Sequence, residues 1–183
     1  MVIKLYSLNM RITAETFFTD AVAVTSLGEP WIHLSYREFV AFFRKIPVLT
    51  ESDLILGAYF TYGWMPTMLR LRGDLAEVTQ IANKVRTAEG ITKAEFATFV
   101  SAMNGSVVGA SKLLHFITPE CHAIWDSRVY RYLYRQHPYH NRVNSPDRYW
   151  NYLAFLDTLT ADQRFAMFKH RAAELMMFTK GEV

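Results

Sequence analysis

Residues Asn104–Arg135 read NGSVVGASKLLHFITPECHAIWDSRVYRYLYR. A short polar turn opens the stretch, and Val107-Val108-Gly109-Ala110-Ser111 reads as a tight hairpin containing a glycine. The apolar spacing that follows predicts a helix over 112–117. A Thr-Pro-Glu turn then leads through the apolar Ala123-Ile124-Trp125 to Asp126. Asp126 is of the type that caps a helix, and the next helix carries Arg128, Val129, Arg131, Leu133 and Arg135. Short helices joined by tight turns give the stretch an all-α texture.

The same texture extends outward in both directions. Ser35-Tyr36-Arg37-Glu38, Thr92-Lys93-Ala94-Glu95 and Thr160-Ala161-Asp162-Gln163 have the form of capping boxes, in which a hydroxyl takes an orphan amide and the acid or amide reaches back. Thr118-Pro119 and Ser145-Pro146 place a hydroxyl before a proline suited to a first helical position. Asp74, after Gly73, is a further cap. Behind these starts the apolar residues recur at helical spacing, as in Leu75, Val78, Ile81, Ala82 and Val85 or Phe96, Phe99, Val100 and Met103. Strand-like alternation is confined to Val2–Tyr6 and Trp31–Leu34. The reading is roughly eight to ten short helices in a single helical domain over 1–183.

Composition agrees with a packed chain. Of 183 residues, 51% are hydrophobic and 20% charged, enough apolar material for a large core and too little charge for a disordered one. The formal charge of +3 permits a nucleic-acid partner without demanding one. Cys121 is the only cysteine, which excludes an internal disulfide and any site built on several thiolates. No signal-peptide pattern opens the sequence, and no apolar run is long enough to span a bilayer. The expectation is a cytoplasmic or nucleoid-associated protein with no membrane partner and no obligate protein partner.

The chemistry concentrates where the sequence was first quoted. A glycine-containing hairpin before a helix can present backbone amides to a phosphate, with Ser111 and Lys112 adding a donor and a charge. Arg128, Arg131 and Arg135 fall on one helix face, and tyrosines are interleaved among them, a mixture suited to phosphate contact and base stacking. A carboxylate such as Asp126 at a helix start can stabilise a developing sugar cation. Each feature has an ordinary structural alternative: a cap for Asp126, a solvated face for the arginines, core packing for Tyr62, Trp64 and Trp125. His115 lies in an apolar helix and reads as a buried, satisfied histidine. The Cys121-His122 pair and the histidines at 137 and 140 form no metal-ligand pattern.

On these residues the segment resembles the core motif of the helix-hairpin-helix DNA glycosylase superfamily. Val108-Gly109-Ala110-Ser111 is similar to the second half of the family hairpin, and Ala123–Leu133 to its apolar lead-in, catalytic Asp and following helix. Val107 stands at the first hairpin glycine, and Lys112 one position beyond the family's nucleophilic lysine. The resemblance implies an all-α glycosylase-like fold and a DNA partner, double-stranded, from which a nucleotide is flipped. It implies Asp126 as the essential carboxylate, with Ser111 and Lys112 as further catalytic candidates and no metal or other cofactor. Val107, Gly109, Ala110, Ser111, Lys112, Arg128 and Arg131 would hold DNA, and Tyr62, Trp64 and Trp125 would line the base pocket. The turn Tyr62–Thr67 is also similar to phage enzymes of thymine hypermodification, so a base-modifying transferase is the alternative chemistry. A non-catalytic DNA-binding module is the alternative without chemistry.

Overall fold

Side-chain caps set most of the helix starts. Thr13, Thr50, Asp74, Thr92, Ser106 and Asp126 each accept a hydrogen bond from a first-turn amide, satisfying donors that the helix cannot pair internally. At Thr50 and Thr92 the box is reciprocal, closed by Asp53 and Glu95. The computed structural model describes residues 10–24, 30–65, 67–87, 89–167 and 170–182. The helices are α1 (Ala14–Val22), α2 (Pro30–Lys45), α3 (Glu51–Trp64), α4 (Leu75–Arg86), α5 (Lys93–Ala102), α6 (Val107–Ile117), α7 (Ser127–Tyr134), α8 (His140–Val143), α9 (Pro146–Thr160) and α10 (His170–Lys180), with a 3-10 turn at Gln163–Met167. Among the described residues the fold is all-α, and the only extended pairing is an isolated bridge between Leu71 and Met103. No helix among them is long and apolar enough to cross a membrane.

Several expected boundaries move. Trp31–Leu34 is helical, not extended, because α2 begins at Pro30 and runs unbroken to Lys45. Ser35 therefore sits inside α2, where no orphan amide awaits a cap. Thr160 ends α9 instead of starting a helix, and Asp162 takes the Arg164 amide at 2.9 Å. Thr118 closes α6, and its carbonyl accepts from the amides of Cys121 and His122, both at 3.1 Å. The Val2–Tyr6 expectation lies outside the described residues.

The helices group into two units, one holding α2–α6 and the other α1 with α7–α10. In the first unit α6 is central, packed by α2, α3, α4 and α5. Nine of its eleven residues are buried, which a helix apolar on all sides requires. In the second unit α7 packs on α10, and α10 on α1. α7 turns Val129, Tyr130, Tyr132, Leu133 and Tyr134 inward, while α10 buries Ala173 to Met177. Each unit carries part of the chemistry-bearing segment.

Candidate functional site

In the α2–α6 unit, the reversal between α5 and α6 falls on Asn104 and Gly105, both with left-handed backbones (φ 59° and 65°). Ser106 N–H donates to the Met103 carbonyl at 2.8 Å, and Ser106 Oγ accepts from Gly109 N–H at 3.0 Å. The hairpin expected at Val107–Ser111 is thus displaced: those residues are the first turn and a half of α6. The physical reason is the Asn-Gly pair, which tolerates two successive positive φ values, followed by a serine able to cap. Gly109 serves packing instead. A Cβ there would lie 2.4 Å from Tyr62 Oη, and that hydroxyl donates to the Met103 carbonyl at 2.6 Å. Burial pushes the Tyr62 phenol upward, against a smaller opposing hydrogen bond from Ser106.

Val107, Gly109, Ala110 and Ser111 are buried, and the Ser111 hydroxyl donates to the Val108 carbonyl at 2.9 Å. Lys112 is half-buried, its Nζ 5.3 Å from the centre of the Trp64 ring. His115 is enclosed, its Nε2 3.0 Å from Tyr36 Oη and its Nδ1 2.5 Å from the His122 carbonyl. Beside the turn lies a recess of about 640 Å³, to which Arg70, Arg72, Ser101, Asn104 and Gly105 contribute. Asn104 staples its wall, with Oδ1 accepting from Arg70 N–H and Nδ2 donating to the Met68 carbonyl, both at 2.9 Å. Arg70 and Arg72 are exposed, and no ion pair among the described residues engages them. Sequence reasoning missed both arginines. Their spacing gave no helical signal, and they meet the turn only through pairing that spans more than thirty residues.

In the α1, α7–α10 unit, Asp126 caps α7 as expected. Its Oδ1 accepts from the Arg128 and Val129 amides, both at 3.0 Å, and the residue is 7% exposed. Trp125 is fully buried and donates from Nε1 to the Val143 carbonyl at 2.7 Å. Tyr62 and Trp125 are therefore core aromatics with their polar atoms engaged, whereas Trp64 is partly exposed. Arg128 bonds Glu182 and lies over the Phe178 ring at 4.3 Å, and Arg131 donates to the Gly181 carbonyl at 3.1 Å.

A second acid went unnoticed in the sequence. Glu174 is 2% exposed and pairs with Arg171 one turn before it. Close by, Tyr152 is fully buried, and among the described residues its hydroxyl has no hydrogen-bond partner. Burial first, then the charge of Glu174, with smaller parts from Tyr149 and Asp126, hold the Tyr152 phenol well above its usual range. The signal was a lone acid in the apolar run Ala172-Ala173-Glu174-Leu175-Met176-Met177, where a solvated residue would break the buried face.

Among the described residues no three His, Cys, Asp or Glu side chains converge as a metal site requires. The arrangement defines an all-α protein with a deep carboxylate at a helix start and arginine-lined recesses. No family model, curated protein or solved structure matches the chain.

Proposed function

We propose that the protein is a DNA-acting enzyme that hydrolyses the N-glycosidic bond of a flipped-out nucleotide. The observation that carries this reading is the state of Asp126. Both α7 amides converge on Oδ1, and among the described residues no hydrogen bond engages Oδ2. A helix N-terminus favours the ionised carboxylate. A carboxylate oxygen that no hydrogen bond among the described residues engages, in a largely water-excluded place, is suited to a developing cationic sugar. In the reaction the C1′–N bond breaks with its electron pair leaving on the base, which takes up a proton from solvent, matched by the proton that water later loses. Water adds at C1′ and gives its proton to Asp126. Nucleotide extrusion would cost a few kcal/mol of stacking and pairing. The exposed Arg70 and Arg72 beside the Asn104–Gly105 turn supply charge for the phosphodiester backbone.

The test is mass spectrometry of DNA and supernatant after incubation with the wild-type chain and Asp126→Asn. The DNA panel carries oxidised, alkylated, deaminated and virus-type modified bases. Free base and abasic sites from the wild type alone support the reading. A change of base mass without abasic sites replaces it with a base-modifying transferase. Intact DNA across the panel, with salt-sensitive binding, replaces it with a binding module.

A further inference from the structure

We propose that the recess at the C-terminal end of α7 binds a phosphate monoester of nucleotide size. It is lined by Arg131, Arg135, Gln136, His137, Lys180 and Gly181 and encloses about 530 Å³, within the range of small-ligand sites. This inference does not rest on the base-releasing reading, since Asp126 takes no part in it.

The walls are fixed by backbone. Arg135 adopts a left-handed conformation (φ 50°) that ends α7, its amide donating to the Arg131 carbonyl at 2.9 Å. Gly181 comes so near α7 that a Cβ would lie 2.1 Å from the Arg128 carbonyl oxygen. Only glycine lets the end of α10 close the recess there. Arg131 reaches across to the Gly181 carbonyl at 3.1 Å, which pins its guanidinium while leaving other donors of the fork.

Charge identifies the ligand. Among the described residues only Arg135 of the three permanent cations meets a carboxylate, Asp20 at 3.5 Å, and Asp20 Oδ2 also accepts from the Tyr132 hydroxyl at 2.9 Å. Arg131 contacts a neutral carbonyl, and no ion pair among the described residues engages Lys180. Asp20 and the C-terminal dipoles of α7 and α10, each worth about half a charge, offset part of the three cations and leave about one positive charge without a counterpart among the described residues. Gathering cations in a recess is unfavourable until an anion enters. Gln136 sharpens the match: its Oε1 accepts from Tyr130 Oη at 3.3 Å and Arg142 Nη1 at 3.1 Å, which leaves its amide as a donor. Guanidinium forks, an ammonium and an amide donor suit a phosphate dianion, with the remaining volume for the group it esterifies.

Calorimetric titration of the full chain with thymidine 5′-monophosphate, and with thymidine, tests this. The monophosphate is expected to bind, the nucleoside is not, and inorganic phosphate is expected to compete. Lys180 makes no side-chain hydrogen bond among the described residues, so Lys180→Gln removes charge without breaking a contact. Lys180→Gln and Arg131→Gln should each weaken monophosphate binding by about tenfold, with the melting temperature of Lys180→Gln unchanged. Competition by a 5′-phosphorylated oligonucleotide but not its 5′-hydroxyl form would name a strand end as the source of the phosphate. Competition by neither would name a free nucleotide. Equal binding of nucleotide and nucleoside, no binding of either, or affinity untouched by both substitutions would overturn the proposal.

Discussion

At the residue scale, one pair of substitutions separates the capping role of Asp126 from the catalytic role proposed for it. Asparagine caps a helix about as well as aspartate, whereas alanine cannot accept the Arg128 and Val129 amides. Asp126→Asn should therefore keep the stability of the parent within about 0.5 kcal/mol, while Asp126→Ala should lose ~1–2 kcal/mol in urea unfolding. On the proposed reading both should lose base release, because neither side chain carries a charge. Activity surviving in Asp126→Asn would confine the residue to capping. A second single-residue effect belongs to His122, which is 4% exposed, and among the described residues neither of its ring nitrogens has a partner. Burial pushes its imidazole down to about 4 from the ordinary 6.5. The folded chain then keeps it neutral while the unfolded chain takes up a proton, so stability falls as pH drops from 6.5 to about 4 and levels off below. His122→Phe should remove about 2–3 kcal/mol of the stability difference between pH 7 and pH 4.5. Parallel pH profiles for parent and variant would show His122 to be solvated. The Asp126 cap was legible in the sequence because its donors lie within three residues. The isolation of His122 was not, since it depends on what the fold places around it.

At the element scale, the turn between α5 and α6 shows where sequence reading slipped and why. The residues named for the hairpin, Val107 to Ser111, contain a glycine, and a glycine suggests a turn. Gly109 is instead required by Tyr62, 47 positions earlier, whose ring occupies the space of a side chain. The turn itself uses Asn104 and Gly105, a pair the sequence displayed but that was read only as a polar opening. Capping boxes were likewise legible where the helix did begin, at Thr92, and misleading at Ser35, where α2 had begun five residues earlier. Two substitutions distinguish these glycines. Gly105→Ala meets no atom within 4 Å and pays only for its positive φ, so it should cost about 1 kcal/mol. Gly109→Ala must displace the Tyr62 ring and the hydroxyl that holds the Met103 carbonyl, and should cost ~2–4 kcal/mol. Thermal or urea unfolding that ranks them the other way would contradict the packing of α3 on α6.

At the scale of the whole molecule, a net charge of +3 is too small to decide a partner, and its arrangement matters more. All-α character was legible because capping residues and 3.6-residue spacing are local and recur along the chain. The placement of charge was not, because ion pairing joins distant segments: Arg44 meets Glu120, and Arg164 meets Glu15. Such pairs neutralise cations that look available in the sequence, and they leave Arg70 and Arg72 as exposed charge that composition alone does not locate. If the chain binds duplex DNA as proposed, this inequality predicts how that binding responds to salt. Each phosphate contact releases condensed counterions, so the slope of log affinity against log salt counts the cations engaged, at about one unit per contact. Arg70→Gln combined with Arg72→Gln should lower the magnitude of that slope by about 2. Arg44→Gln, also exposed but held by Glu120 at 2.7 Å, should leave it unchanged. Fluorescence anisotropy with a labelled duplex over a range of potassium chloride measures both slopes. A loss of slope in the Arg44 variant, with none in the double variant, would place the DNA contact away from the Asn104–Gly105 turn and withdraw the backbone-binding role assigned to it.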